Sequence, residues 1–462
     1  MLIIALLAAA GCTMGPDYER PPIDEPAAYR DTMPPGESIA TLPWWELFGD
    51  PVLQDLIETA LSNNRNLRAS MARINEARAT LGIVRSDLYP RVDYYADGAY
   101  EGTSAGDGST SSSALASLNA SYQVDLWGRI RRANEAAAEG LLATEEAYRG
   151  VTITLVAEVA NAYFLLRDLD NRLLISEQTV ETRRQSLDVV RSRFNAGMVS
   201  EVDVNQAEIQ LAEAEVSVQT FERLRAQTEN ALSVIMGVPP MRIERGLSLS
   251  EQVLPPEIPT GLPLELLRRR PDIIEAEHRL HAQTARIGVA EALKFPQFNL
   301  TGDLGALFDD ETSGFFSLGA QLFGPLFNAG ANQRQVDVEV ARTEQLVNQY
   351  EQTILNAYRE VEDALVSVRT YDAEYEARRR QLVAAENAAD LSWVRYEGGM
   401  TSYLEVLDLQ RSLFGSQLKA SQTLQLRLAS MVQLYQALGG GWVAEQDSTA
   451  AAGGAPRGMG GE

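Results

Sequence analysis

The residues best suited to nucleophilic, redox or metal chemistry are few, and their placement argues against all three. Cys12 is the only cysteine, so no intrachain disulfide forms. It lies at the N-terminal edge, ahead of any folded element, which nearly excludes a Cys/His enzyme. His278 and His281 are the only histidines. Three residues apart on a helix, they share a face and are spaced to share a metal, although solvated surface histidines are the commoner outcome. Glu405 and Asp408 have the same spacing, yet no catalytic frame accompanies them. No nucleophile-plus-base set, metal-ligand spacing or Gly-rich phosphate loop occurs, so neither enzyme, cofactor nor metal is expected.

Cys12 has a different use. Leu2 to Gly11 reads LIIALLAAAG, too short for a bilayer span of about 20 residues and the length of a signal-peptide core. It ends in small residues before the cysteine, which resembles a bacterial lipobox. Residues 1–11 are then a signal peptide, and Cys12 becomes the lipidated N-terminus. No Lys or Arg precedes the apolar run, a departure from the usual leader. Residues 12–43, rich in Pro, Asp and Glu, read as a tether. The net charge of −24 argues against nucleic acid or an anionic membrane surface as the main partner.

The chain repeats itself. Arg73, Ala79, Gly82 and Pro90 recur at one constant offset as Arg279, Ala285, Gly288 and Pro296. Asn161-Ala162-Tyr163 recurs as Asn356-Ala357-Tyr358, and RFNAGMVSEVDV from Arg193 as RYEGGMTSYLEV from Arg395. A first copy spans 44–252, a second 261–441, and 442–462 form a flexible tail. Each copy predicts a helix stopped by proline (about Asn66 to Leu88; about Asp272 to Lys294). Next comes a strand pair: Arg91 to Tyr100 with Ala114 to Leu126, then Gln297 to Phe308 with Phe315 to Phe323. Phe298, Leu300, Leu304 and Phe308 alternate with Asn299, Thr301 and Asp303, a pattern that suits a membrane barrel or a soluble sheet. Proline-free runs follow, from Arg129 to Arg193 and from Ala331 to Arg395. As helices they reach about 97 Å and need coiled-coil-like partners. Return helices to Met236 and Leu438 supply small-residue seams: Val204, Ala207, Leu211, Ala214, Val218 and Phe221; Val406, Leu409, Leu413, Ser416, Ala420 and Thr423.

Four strands cannot close a membrane barrel, and an open sheet edge is not tolerated in lipid. Two chains give a filled eight-stranded barrel; three give twelve strands and a lumen. Passage therefore requires at least three chains.

Six segments carry a family resemblance: CTMGPDYERP, WWELFGDPVLQDLIETALSNN, YQVDLWGR, GLPLELLRRRPDIIEAE, IGVAEALKFPQFNLTG and LYQALGGGW. Together they make the chain similar to the TolC-like outer-membrane factors, in their NodT-type efflux lipoprotein branch, from Cys12 to Trp442. The resemblance implies a mainly α fold with a membrane β-barrel portion, in a duplicated β-β-α-α plan. It implies a homotrimer with a twelve-stranded barrel and a twelve-helix periplasmic tunnel. It further implies a periplasmic adaptor, an inner-membrane transporter of the resistance-nodulation-division type, and outer-membrane lipid as partners. The function implied is passive exit of small molecules; a type I protein-secretion channel is the alternative. A soluble coiled-coil scaffold is the third reading, which a monomer extracted without detergent would support.

Carried over residue by residue, the turns Arg193–Gly197–Ser200 and Arg395–Gly399–Ser402 are expected to meet the adaptor. Glu405 and Asp408 match an acidic ring that narrows the periplasmic mouth. Tyr396 and Arg411 match residues that tie inner and outer helices when closed. Thr401 stands where some members carry a basic gate residue, so that link is missing. Three-fold symmetry would set six carboxylates at one opening, attracting cations, with Arg411 as counter-charge. Control is expected about 100 Å from the barrel. Trp127, matched by Phe327, suits either an interfacial aromatic belt or packing at the strand–helix joint. Arg268 to Arg270 read as structural.

Overall fold

The computed structural model describes residues 13–23, 45, 48–102, 110–252, 269–309 and 312–440. Cys12, the signal peptide, most of the tether, Arg268 and the 442–462 tail lie outside the described residues.

The β-β-α-α order occurs twice. Helices α1 (Pro51–Asn63) and α2 (Arg65–Ser86) lead into strands β1 (Arg91–Gly102) and β2 (Thr110–Val124), then α3 (Arg129–Asn195) and α4 (Glu201–Ile235). Helix α5 (Pro271–Ala292) leads into β3 (Gln297–Phe308) and β4 (Ser313–Phe323), then α6 (Ala331–Glu397) and α7 (Tyr403–Ala437). The proline-free runs are thus single helices of 67 residues each, and the return helices have 35 each. Strand β2 begins at Thr110, ahead of the expected Ala114, because Ser111 to Ser113 pair with Glu101, Tyr100 and Ala99. Backbone ladders accept serines that carry no hydropathy alternation.

The strands form one antiparallel sheet in the order β1-β2-β3-β4, so the hairpin of each copy joins the other through β2 and β3. The register sorts the side chains. Tyr94, Leu118, Leu304 and Phe316 stand in one cross-strand row, and Gly302 faces Leu318 in the next. Asp93, Asn119, Asp303 and Ser317 form the adjacent row on the opposite face, where the Ser317 hydroxyl donates to Asp303 at 2.6 Å. The apolar face lies open within the chain: Tyr94 is 86% exposed, Phe316 79% and Leu318 87%. Both outer edges, on β1 and β4, lack a neighbouring strand among the described residues.

The chain divides into two compact units. The first holds the sheet, α5, α2 from Ser70, and the strand-proximal parts of α3 and α6. The second holds α1, α4, α7 and the remainder of α3 and α6. Its buried organiser is Asp50, the N-cap of α1. The carboxylate accepts from Val52 N at 3.0 Å, the Tyr163 hydroxyl at 2.7 Å, Leu247 N at 3.1 Å and Gln252 Nε2 at 2.7 Å. Helix α3 contains an 18-residue stretch apolar enough to cross a bilayer, but half of it is buried inside the chain, so packing accounts for it.

Candidate functional site

Both helical hairpins turn by the same device. Helix α3 ends with Gly197 at φ +73° and α6 with Gly399 at φ +70°. Met198 N bonds Arg193 O at 2.9 Å and Gly197 N bonds Phe194 O at 2.8 Å. Met400 N bonds Arg395 O at 2.8 Å and Gly399 N bonds Tyr396 O at 3.0 Å. These are paired Schellman caps, in which glycine supplies the left-handed residue. Ser200 and Ser402 then N-cap the return helices.

The two hairpins pack together through Leu187, Val190, Ala207 and Leu211 of the first and Tyr396, Tyr403, Val406 and Leu407 of the second. The expected seam supplies part of this contact through Ala207, Leu211 and Val406, with Val204 packed against them. The Tyr396 ring meets those of Tyr403 and Trp393 at a tilt, with centroids 5.4 Å and 5.9 Å away. Burial, with Tyr396 beside it, pushes the Tyr403 hydroxyl up to about 12.

Arg193 is the cross-hairpin tie. Its guanidinium lies 4.3 Å over the Tyr396 ring and donates to Tyr396 O at 3.1 Å and Glu397 O at 3.3 Å. It thereby serves the orphan carbonyls of α6, a role no local signal in the sequence announces. The Tyr396 hydroxyl is buried and finds no partner among the described residues, so Tyr396 engages the other hairpin by its ring and backbone.

The repeat-related acids behave differently. Asp203 accepts from Ser200 N and Oγ, both at 3.0 Å. Glu405, its counterpart, instead accepts from Arg395 Nη1 at 2.9 Å and from the Thr401 hydroxyl. Asp408 is exposed. Among the contacts of the described residues, none joins it to Arg411. Arg411 is also exposed and opposes the charge of Arg183. Within one chain the counter-charge on Glu405 is Arg395, ten residues upstream across the turn. Arg183, absent from the expected set, is buried over Phe414 at 5.1 Å and donates to Gln210 O. Burial lowers its pKa against the pull of Glu213.

In the first unit, Trp127 stacks on Phe295 at 4.7 Å and donates to Pro296 O at 2.7 Å, a packing role at the joint. Its counterpart Phe327 is 89% exposed. The histidines are not solvated as expected. They are about a quarter exposed and pair with Glu135 and Glu139 of α3. No group of His, Cys, Asp and Glu suited to a metal occurs among the described residues. Arg270 is structural, donating to Ala437 O at 2.9 Å and pairing with Glu360 at 2.7 Å.

An amphipathic four-stranded sheet with open edges, continued by 67-residue helices, defines the class: a subunit of an outer-membrane channel whose wall passes from strand to helix. The outer membrane efflux protein family matches residues 56–238 and 262–440, and the chain belongs to that family. It is 36% identical over 460 residues to the probable efflux pump outer membrane protein TtgC of Pseudomonas putida, covering 96% of this chain and 95% of that protein. It is 33% identical over 446 residues to the cation efflux system protein CusC of Escherichia coli K12, covering 94% and 97%. The open state of the Neisseria gonorrhoeae MtrE outer membrane channel superposes with a TM-score of 0.86 at 31% identity, over 93% of this chain and 98% of that one. The protein is an outer-membrane efflux duct of a Gram-negative cell.

Proposed function

We propose that three copies close their sheets into one twelve-stranded barrel and their hairpins into a twelve-helix tunnel. A periplasmic adaptor would engage the tips and an inner-membrane transporter would deliver the cargo. Cys12 carries the lipid anchor, and residues 44–252 and 261–441 act as the two repeats of each wall segment. The duct itself performs no chemistry. The observation that carries this reading is the sheet. One face is apolar and open, and the outer sides of β1 and β4 are unpaired, a state lipid does not tolerate. Relatives named for toluene, antibiotic, solvent and cation efflux favour small molecules over secreted protein as cargo.

At the tip, the gate comprises Glu405 and Asp408, with Arg395 as resident counter-charge and the Arg193–Tyr396 contact as the tie. Cysteines placed singly on β1 and β4 test the assembly by oxidation in outer membranes. A ladder ending at three chains supports it. Monomer alone, or a ladder running past three, refutes it.

A further inference from the structure

Arg183 carries a buried charge that no carboxylate among the described residues meets. It stands on α3 and is 3% exposed. Its guanidinium lies 5.1 Å over the Phe414 ring of α7, and Nη1 donates to Gln210 O of α4. An arginine side chain has five N–H donors. The others bond to nothing among the described residues. Glu213 is the carboxylate whose field reaches Arg183, but it accepts from Gln210 Nε2 at 2.9 Å and forms no ion pair with the guanidinium. Arg411 adds a second positive charge to the neighbourhood. A charge held out of water is costly unless an opposite charge meets it. Helix packing does not demand an arginine here: α6 has the same length as α3, and the same position in α6 is Ala385, also buried.

Beside the guanidinium is a cavity of about 180 Å³ between α3 and α7. Arg183 and Phe414 line it, together with Gln178, Thr182, Gln410 and Gln417. None of its lining residues is acidic. The Thr182 hydroxyl is spent on Gln178 O at 3.1 Å. The carboxamides of Gln178, Gln410 and Gln417 bond to nothing among the described residues, which leaves their NH₂ groups free to donate. The volume exceeds the share of one water, about 30 Å³, and falls short of the roughly 300 Å³ at which sites for drug-sized molecules begin. It therefore suits a small ion with part of its water shell. Water alone would satisfy the donors but leave the charge unmet. An anion does both.

We propose that this cavity binds chloride, with Arg183 as its charge partner and the carboxamides of Gln178, Gln410 and Gln417 as further donors. A single negative charge matches the one buried guanidinium. Guanidinium is itself weakly hydrated, so the pair forms with little loss of water binding. The bound ion joins α3 of the first copy to α7 of the second, and so adds to the hold between the two hairpins. All of its ligands belong to one chain, so the site does not rest on the assembly of three copies.

Crystals of the full chain grown in sodium bromide test this, because bromide substitutes for chloride and scatters anomalously. An anomalous peak within hydrogen-bonding reach of the Arg183 guanidinium is expected. Arg183→Met, which keeps an unbranched stem without the charge, should show none. In detergent, at equal ionic strength, exchanging gluconate for chloride should raise the thermal midpoint by about 2 °C, the shift for a site offered roughly ten times its Kd. Arg183→Met should lose that shift. Should Arg183→Met not fold, Gln410→Leu/Gln417→Leu keeps the arginine, lines the cavity with apolar groups and should lose most of the shift. A cavity without a bromide peak overturns the site. A peak with a wild-type midpoint indifferent to the anion marks an adventitious ion only and overturns it too. So does a shift of wild-type size that survives in the variants.

Discussion

Replacing Arg193 with alanine removes two hydrogen bonds from a charged donor to the last carbonyls of α6, and a guanidinium stacked 4.3 Å over Tyr396. A charged hydrogen bond contributes about 1.5 kcal/mol or more, and a cation–π contact about 0.5–2 kcal/mol. Partial exposure of Arg193 reduces the combined effect to about 2 kcal/mol, a factor of about thirty in the equilibrium between tied and separated hairpins. Single-channel recording reads this as longer dwell in the high-conductance state. Arg193→Lys keeps the charge without the planar fork and should fall between wild type and Arg193→Ala. Tyr396→Phe should behave as wild type, because the buried hydroxyl it removes has no partner among the described residues. If Arg193→Ala leaves dwell times unchanged, or Tyr396→Phe opens the channel as strongly, the tie does not run through the guanidinium.

Three further outcomes are expected. Leu318→Arg, on the apolar sheet face, should cost about 2–4 kcal/mol at mid-membrane depth and deplete the protein recovered in outer membranes, while Ser317→Arg on the other face should be tolerated. Gly246→Ala should lower the thermal midpoint by several degrees, since its Cβ would lie 2.1 Å from Asp50 Oδ1 and disturb a fully buried carboxylate. Burial raises the pKa of Asp168, against the pull of Arg172. Its ionisation therefore opposes folding, and its stabilising contribution is full below the ordinary aspartate range and lost as pH rises through the raised value. Asp168→Asn should flatten the thermal midpoint between about pH 4 and pH 7; a wild-type slope in the variant would refute that assignment.

Most of the fold was legible because it is written locally. Prolines and glycines set the ends of α2, α3 and α6 within about two residues, and the spacing of Ala207, Leu211 and Ala214 marked a seam that is buried. Sheet alternation at Leu300, Leu304 and Phe308 gave the faces, though the serines before Ala114 hid the start of β2. The site was less legible because its contacts join distant residues. Glu405 and Asp408 were visible as a pair, but Arg395 reaches Glu405 across a turn. Arg193 reaches Tyr396 from the other repeat. The histidines looked solvated because their carboxylate partners lie on α3, far away in sequence. Arg132, buried in the fourth position of α3, contrasts with Arg334, exposed in the fourth position of α6 and paired with Asp337, so the repeat does not announce the buried arginine.

If an assembled pore is controlled at the helix tips, the carboxylates there set its conductance and ion preference. Conductance of the purified protein in a planar bilayer tests it most directly, wild type against Glu405→Ala/Asp408→Ala. Discrete, cation-preferring steps are expected for the wild type, with the preference reduced and the conductance changed in the variant. An absence of channel steps from correctly inserted protein would contradict the duct itself. Steps identical in size and ion preference would contradict the tip as its point of control.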